Sequence, residues 1–494
     1  MSSGPNTRLA DMFALTGWSK GELARLVNRR GAAMGQQQLS TDTSRVRRWI
    51  ERGEIPRDPV PRVLAAVFTE RLGRVVSIED LGLARQRRSS TAAAGAAAVE
   101  EPERTAEILT EFTGMDLMLN RRQQADTAPV LPGLSAIPDS LYRWLSGDSV
   151  AYAADRRGPR EVITGQLVTG TSSKPIVDVY EPGPAGVEEV AALERSFEVF
   201  RAWDASRGGG LQRKAVIGQL NEVGGLLTHR HPPELARRLW LVAANLAALA
   251  GWMSHDIGLE STGQRYFVIA AQAAREAGDR PRAGEAISRC ARQLLHYGRA
   301  DEALDLMRMA RAGAGPDTSP MTQAMFNTVE AWAQASLGRG QEVVRLLGEA
   351  EELYVRGMGE PQPSWMQTFN EAELRGMQSL VYRTLAEHDP AAAPRAVAQV
   401  EDAIRLREGQ RQERSSIFDL ISFAAVHWIT GEPEQAELQT RAVLAKIGDT
   451  SSHRTWDRLR AVDRLAGRYR QMPAVAELRA EIRAAMPPTR RPAG

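Results

Sequence analysis

The chain has 494 residues, with 63 basic and 61 acidic side chains, one cysteine and 43% apolar residues. That length exceeds one ordinary core, so roughly two to four domains are expected, and the lone Cys290 excludes an internal disulfide and zinc sites built on several thiolates. The polar start MSSGPNTRLAD has no charged-then-apolar leader, and the longest apolar run, residues 239–253, is too short for a bilayer and contains Asn245; a cytoplasmic protein without membrane contact is expected.

Charge is unevenly spread. Residues 1–90 hold 16 basic against 9 acidic side chains, a net of +7, which leaves −5 for the rest. A basic head on a mildly acidic body suits a nucleic-acid-contacting module joined to something else. Residues 6–83 read as a compact helical domain. NTRLADMFALTG and SKGELARLVNRRGAAM have helical spacing, and Ser19 with Glu22 forms a capping box. GQQQLSTD interrupts, and TSRVRRWIERG follows with Gly53 as its C-cap. Pro56, Pro59 and Pro61 end that element, RVLAAVFTERLG gives another helix, and VVSIEDLGL closes the domain.

Setting Val46 and Trp49 inward, against Leu23, Ala24 and Val27, turns Thr43, Ser44, Arg47 and Arg48 outward, with Arg45 near the rim. Arginine binds guanine bidentately or clamps phosphate, and serine and threonine anchor phosphate or read either base type. These five residues are the candidate DNA-binding set. The alternative is a solvated basic face that keeps a small helix soluble.

Residues 84–103 are low-complexity Arg/Ser/Ala sequence and read as a linker. Residues 104–186 read as an irregular connecting region, with SLYRWLSGD a short helix, EVITGQLVTG a strand or two, and KPIVDVYEPGPAG a loop. From 187 to 487 the pattern is helical almost throughout, and it repeats. Gly258, Gly298 and Gly338 lie 40 residues apart, and Gly431 follows after 93. Small residues recur seven before each (Gly251, Ala291, Ala331, Ala424), five after (Gly263, Ala303, Val343, Ala436) and twelve after (Ala270, Ala310, Ala350, Val443). Nine after stand the bulky Phe267, Met307 and Leu347, a rule that Thr440 breaks. Antiparallel helices approach closely only where small side chains meet, and a large one then fills the space between neighbouring hairpins. This is the register of tetratricopeptide-type hairpins. Segment 363–408 holds the missing repeat, with Ala396, Val400 and Ala403 in its second helix, and the segments beginning at Thr455 and Pro473 form a terminal cap. The fold class is therefore all-α: a helix-turn-helix domain, a less regular connector and an α-solenoid of tetratricopeptide-like hairpins.

WIERGEIPR resembles the end of the recognition helix in the phage-repressor-like (Xre) helix-turn-helix family, and RVLAAVFTERLGRVVSIEDLGL resembles that family's following helix and closing segment. With the repeats, and with the phrases RAWDASRGGG, AGWMSHDIG, RYFVIAAQAAREAGD and SHRTWDRLRAVDRLAGRY, the chain resembles streptomycete tetratricopeptide-containing regulators of differentiation and antibiotic production. The resemblance implies transcriptional regulation, often repression of secondary metabolism and sporulation. One departure stands out: Leu23 and Trp49 are 26 residues apart, about a dozen more than the phage-repressor pattern. Either the loop between the two helices is larger, or the domain keeps the fold without DNA binding.

In such solenoids the first helix of each hairpin lines the concave side, where extended peptides or partner segments lie. Outward positions in the register are Asn245, Trp252, His255, Arg292, His296 and Trp332, with Trp428 further along. Asparagine can bond a peptide backbone, arginine a carboxylate, and tryptophan offers flat apolar area; the alternative is that the tryptophans fill seams between hairpins. HRHPPE (229–234) lacks the i, i+4 face of a zinc helix and reads as a polar loop, and Cys290 is expected in the core and inert. No phosphate-binding glycine loop, nucleophile elbow or paired-carboxylate signature occurs. The expectation is a regulator without enzymatic activity, cofactor or metal. It binds DNA through its head and a protein or peptide through its repeats, which dimerise or bend to set the spacing of two recognition helices. A DNA-silent protein-interaction scaffold is the rival.

Overall fold

In the computed structural model the chain is described over residues 5–33, 39–57, 59–72, 76, 78, 80–83, 102–118, 136–146, 184–207, 212–408, 413–447 and 452–486. Every regular element among these residues is helical, so the all-α class is observed. The EVITGQLVTG strands and most of the KPIVDVYEPGPAG loop fall outside the described residues.

The N-terminal module comprises α1 (Thr7–Thr16), α2 (Lys20–Ala33), α3 (Thr43–Glu51) and α4 (Val60–Leu72). Its core joins Leu9, Leu23, Val27, Val46, Trp49, Leu64 and Phe68, with Val76, Leu81 and Leu83 from the closing segment. Asn6 ties three of these parts together. Its Oδ1 accepts from the Leu9 N–H at 3.0 Å and caps α1, while its Nδ2 donates to the carbonyls of Leu81 and Gly82 at 2.9 and 3.2 Å. Its own N–H reaches the Ile50 carbonyl at the end of α3. The long α2–α3 connection is pinned by Asn28, whose amide both donates to the Thr41 carbonyl (2.8 Å) and accepts from the Thr41 N–H (2.7 Å). α2 runs to Ala33 and residues 34–38 of the connection lie outside the described residues, so both readings of that insertion stand.

Two helices occupy the segment expected to be irregular, of which the second is the short helix expected at SLYRWLSGD and the first is unexpected. Both α5 (Pro102–Met118) and α6 (Asp139–Ser146) bury side chains in the same core as the repeats, through Ala106, Leu109, Phe112, Leu141 and Leu145. Next come α7 (Val187–Arg207) and α8 (Arg213–Leu227), and then the helical hairpins. These pair α9 (Pro233–Asp256) with α10 (Glu260–Glu276), α11 (Arg280–His296) with α12 (Ala300–Ala314), and α13 (Pro320–Ser336) with α14 (Gly340–Gly357). The later pairs are α15 (Glu371–Ala386) with α16 (Ala393–Arg407), and α17 (Glu413–Thr430) with α18 (Pro433–Ile447). Finally α19 (His453–Ala466) and α20 (Pro473–Ala485) end the described chain.

The repeat register holds in detail. Gly258, Gly298, Gly338 and Gly431 all sit at left-handed φ of 70–82° between the helices of a hairpin, a conformation that glycine adopts without steric cost. The small residues Ala291, Ala331, Ala303, Ala270, Ala310 and Ala350 are fully buried, as are Phe267 and Met307. Thr440, the exception, is also fully buried: its Oγ1 accepts a hydrogen bond from Trp428 Nε1 at 3.1 Å. Trp428 is thus a core residue between α17 and α18 and not part of a groove, correcting the sequence expectation. An aromatic N–H buried there needs an acceptor, and threonine supplies it where leucine or methionine would not.

The first helices of the hairpins touch in the order α9, α11, α13, α15, α17, α19, and α19 returns to α9. The superhelix therefore closes into a ring. α19, expected as a terminal cap with a polar outer face, instead seals the concave side. The N-terminal module sits on this body: Asp80 of its closing segment pairs with Arg265 of α10 at 2.6 Å, and Met115 of α5 packs against the module's core.

Close helix approach makes a paired prediction. A Cβ on Gly284 would lie 2.6 Å from the Ala310 carbonyl oxygen, whereas one on Gly218, in α8, meets nothing within 4 Å. Gly284→Ala should destabilise the chain by about 1–3 kcal/mol through overpacking, and Gly218→Ala should stabilise it by about 0.5–1 kcal/mol through helix propensity. Thermal and urea melts of the two variants would show opposite shifts.

Candidate functional site: the outer face of α3 and the interior of the ring

Two surfaces hold the candidate residues. On α3, Asp42 caps the helix by accepting the Arg45 N–H at 2.8 Å, and Val46, Trp49 and Ile50 turn into the module's core. Thr43, Ser44, Arg45, Arg47 and Arg48 are all exposed, as the sequence predicts. Thr43 faces α2 at its closest point, since a Cβ on Gly21 would lie 3.6 Å from Thr43 Oγ1.

The three arginines already have contacts within the module. Arg45 Nη1 donates to the Ser40 carbonyl at 2.7 Å. Arg47 Nε pairs with Glu51 at 2.7 Å, and Arg48 Nε lies 3.6 Å from Glu54. Glu51 also takes Lys20 at 2.5 Å, and hydrogen bonds from Lys20 and then Arg47 hold its carboxyl down to about 2. The face is thus a basic surface with two carboxylates set into it. Its arginine heads remain solvent-exposed, and exposed pairs of this kind exchange readily for other anions.

Inside the ring lies the second set. Trp252, His255, His296 and Trp332 form a continuous file of rings across α9, α11 and α13. Their centroids are 5.6 Å apart for Trp252–His255, 5.2 Å for His255–His296 and 5.0 Å for His296–Trp332. Arg292 lies over the Trp252 ring at 5.1 Å. Five of the six residues expected in the groove are therefore brought together. Asn245, two turns earlier on α9, is not with them; its Oδ1 accepts from Arg282 Nε at 3.0 Å. Trp252, His255 and Trp332 are at most 9% exposed, so they form the ring's inner wall more than an open trough. Burial, followed by the charges of His255, Arg458, Arg454 and Arg292, pushes His296 well below the usual histidine range and keeps it neutral.

The sequence reading missed the residues that complete this interior. Arg454 of α19 forms a buried ion pair with Asp256 at the end of α9, and its guanidinium lies 4.8 Å over Trp252. This contact joins the last helical pair to the first repeat across nearly two hundred residues. Arg407 pairs with Asp419 at 2.7 Å and Glu373 at 3.0 Å. Burial pushes the Asp419 carboxyl up to about 6 against the pull of Arg407, whereas Arg407 and Arg292 hold Glu373 below its usual range against its own burial. One guanidinium serves two carboxylates: burial prevails at Asp419, and the arginine charges prevail at Glu373.

Elsewhere, the polar histidine loop has a structural role. His231 Nε2 accepts the Ala185 N–H at 3.1 Å, and no group of three metal-ligating side chains occurs among the described residues. Cys290 is fully buried, and burial pushes its thiol up to about 12. No described helix is long and apolar enough to cross a membrane.

Comparison with known proteins adds a partial frame. Residues 9–84 match the family described as the SP15 N-terminal domain, a span close to that of α1–α4 and the closing segment. Among solved structures the chain is similar to the apo form of RapI, at 10% identity and a TM-score of 0.34, over 60% of this chain and 75% of that one. No curated protein matches. Neither name is that of the streptomycete regulators that the sequence resembles.

Two measurements test the interior. Asp256→Asn removes the partner of a buried guanidinium, and should destabilise the chain by about 3–5 kcal/mol, read as a lowered thermal midpoint. Asp419 titrates near 6 when folded and near 3.9 when unfolded. A raised folded value contributes stability below the unfolded pKa that is lost as pH rises through the folded one. Stability should therefore fall by about 3 kcal/mol between about pH 4 and 6 on this group's account. Asp419→Asn should remove that slope in urea melts collected across the range.

Proposed function

We propose that the chain is a transcriptional regulator that lays α3 of its N-terminal module against DNA and receives a protein or peptide signal through its ring of repeats. The observation that carries this reading is the division of α3. Its apolar residues enter the module's core, while Thr43, Ser44, Arg45, Arg47 and Arg48 share the exposed side. A helix held by its back with arginine, serine and threonine on its front has the donor set for phosphate clamping and base-edge contact. Repression, the sign implied by the resemblance to the streptomycete regulators, is adopted with it. A cytoplasmic location and a homodimer with two α3 faces are parts of the same proposal.

A scaffold that acts only by protein contact is the second reading, and one observation favours it. Glu51 and Glu54 stand on the arginine face and engage Arg47 and Arg48, where they would repel a phosphate backbone. The two readings differ in what must happen to these pairs: DNA binding exchanges each carboxylate for a phosphate, and a scaffold leaves them in place.

Capture of genomic fragments by the full chain, followed by titration of a captured duplex at increasing salt, separates them. The proposal requires tight binding at low salt with a steep salt dependence. Arg45→Ala/Arg47→Ala/Arg48→Ala should lose at least tenfold in affinity and reduce the slope of log affinity against log salt by about 2–3, with its circular dichroism unchanged. A folded triple variant that binds the duplex as the parent does would remove the DNA reading and leave the scaffold.

A further inference from the structure

The carboxylates inside the ring are committed to particular side chains. Asp256 is committed to Arg454, and Glu285 is shared by Arg282 and Arg289. Glu373 and Asp419 are both engaged by Arg407, and Glu260 faces His255 at 2.5 Å. That leaves Arg292 of α11 and Arg458 of α19 with no ion-pair partner among the described residues. Arg292 meets the Met377 sulfur at 3.9 Å and the Trp252 ring, its buried Nε has no acceptor, and the Glu373 carboxylate whose charge it feels is bonded to Arg407. Arg458 lies over the Phe418 ring at 4.1 Å. Arg383 of α15 is close to unpartnered as well, since its Glu387 is 3.9 Å away and its buried Nε also lacks an acceptor.

Arg292, Arg454 and Arg458 share one space, and the charge of Arg383 acts on Arg458. Arg292 and Arg454 lie over the same Trp252 ring, and Arg454 and Arg458 over the same Phe418 ring. Burial, and then the charges of Arg454, Arg383 and Arg292, push Arg458 down to about 9, which still leaves it charged at neutral pH. Arginine does not escape such crowding by giving up its proton. A buried charge without a close counter-ion costs several kcal/mol, and Arg292, Arg383 and Arg458 bring such groups from three helices. Arg292, Arg383 and Arg458 each keep part of their surface in contact with solvent.

The geometry points to an anion-binding site inside the ring, in which Arg292, Arg383 and Arg458 bind the phosphate group of a small phosphorylated molecule. A phosphate monoester carries close to two negative charges at neutral pH and offers three acceptor oxygens. It matches the two unpaired guanidiniums and the weakly paired third, and arginine is the side chain best shaped to clamp it. Because Arg458 belongs to α19 and Arg292 to α11, one bound phosphate ties the closing helix to the first half of the ring. The site is separate from the α3 face and stands whether or not that face binds DNA.

The test uses the full chain, with tryptophan fluorescence and thermal melts as readouts. The probes are inorganic phosphate, a nucleoside monophosphate, a sugar phosphate and the matching neutral nucleoside, each at constant ionic strength with chloride as the balance. The phosphorylated probes should raise the melting temperature by several degrees and change tryptophan emission, and the neutral nucleoside should do neither. Response to all the phosphates assigns the phosphate group alone as the determinant, whereas preference for one ester identifies the organic part that the site accepts. Arg458→Gln and Arg292→Gln should each weaken binding at least tenfold. Each should also raise the melting temperature of the ligand-free protein, because crowding is relieved; a merely structural arginine would lower it. The Arg45→Ala/Arg47→Ala/Arg48→Ala chain should respond to phosphate like the parent. The inference is overturned if no phosphorylated probe acts differently from chloride, if binding survives in both glutamine variants, or if it disappears with the α3 arginines.

Discussion

Closure of the repeat helices into a ring is the constraint on which the rest of the structure depends. An open solenoid exposes the inner face of each repeat to water, where an arginine costs little. Here α19 packs back on α9, and Arg454 reaches Asp256 and Trp252. Side chains that would each be ordinary on a concave surface now face one another across a partly dehydrated interior. Charge matching becomes a property of the whole ring. Arg407 must serve both Glu373 and Asp419, and at Asp419 burial outweighs that partner's pull.

The hairpins were legible in the sequence because their packing is local. Gly258, Gly298, Gly338 and Gly431 mark turns that need a left-handed residue, and the alanines at fixed offsets mark where two backbones approach. Even the broken position has a local cause, since Thr440 answers the buried indole of Trp428. The clustering of Trp252, His255, Arg292, His296 and Trp332 was legible for the same reason: adjacent first helices place equivalent positions side by side. The ring was not legible. Closure depends on small rotations added over successive repeats, and no residue spacing records their sum. Arg454 and Arg458 therefore read as polar residues of a terminal cap, while in the fold they complete the interior. Helix α5 was also hidden, because its segment follows a run rich in alanine and serine. Its burial is decided by contact with α8, far along the chain.

At the N-terminal module, the outward set on α3 followed directly from the inward one, so Val46, Trp49 and Ile50 were enough to place Thr43, Ser44, Arg45, Arg47 and Arg48. What the pattern did not show is the company these arginines keep. Glu51 comes one helical turn after Arg47, and Lys20 arrives from α2 to share it. Spacing along α3 could reveal the first contact, and only the fold could reveal the second.

The two candidate surfaces are physically contiguous. Asp80 of the module pairs with Arg265, whose guanidinium lies 5.6 Å over Phe112 of α5. Phe112 packs edge-on against Tyr266 at 4.9 Å, and Tyr266 donates its hydroxyl proton to Asp116 at 2.7 Å. Burial and the neighbouring Asp116 charge raise the phenol well above its usual range, so it remains a donor. Asp116 in turn accepts from Arg213 at 2.5 Å, and Arg213 donates to Ser254 at 2.8 Å. Ser254 lies between Trp252 and Asp256, the residues that meet Arg454. Each link is buried or half-buried and made of directional hydrogen bonds or packed rings, so it resists gradual deformation. A change in how α19 closes on α9 thus begins two residues from the end of a polar chain whose other end holds the N-terminal module. This chain of contacts runs from the N-terminal module through α5 to the interior of the ring.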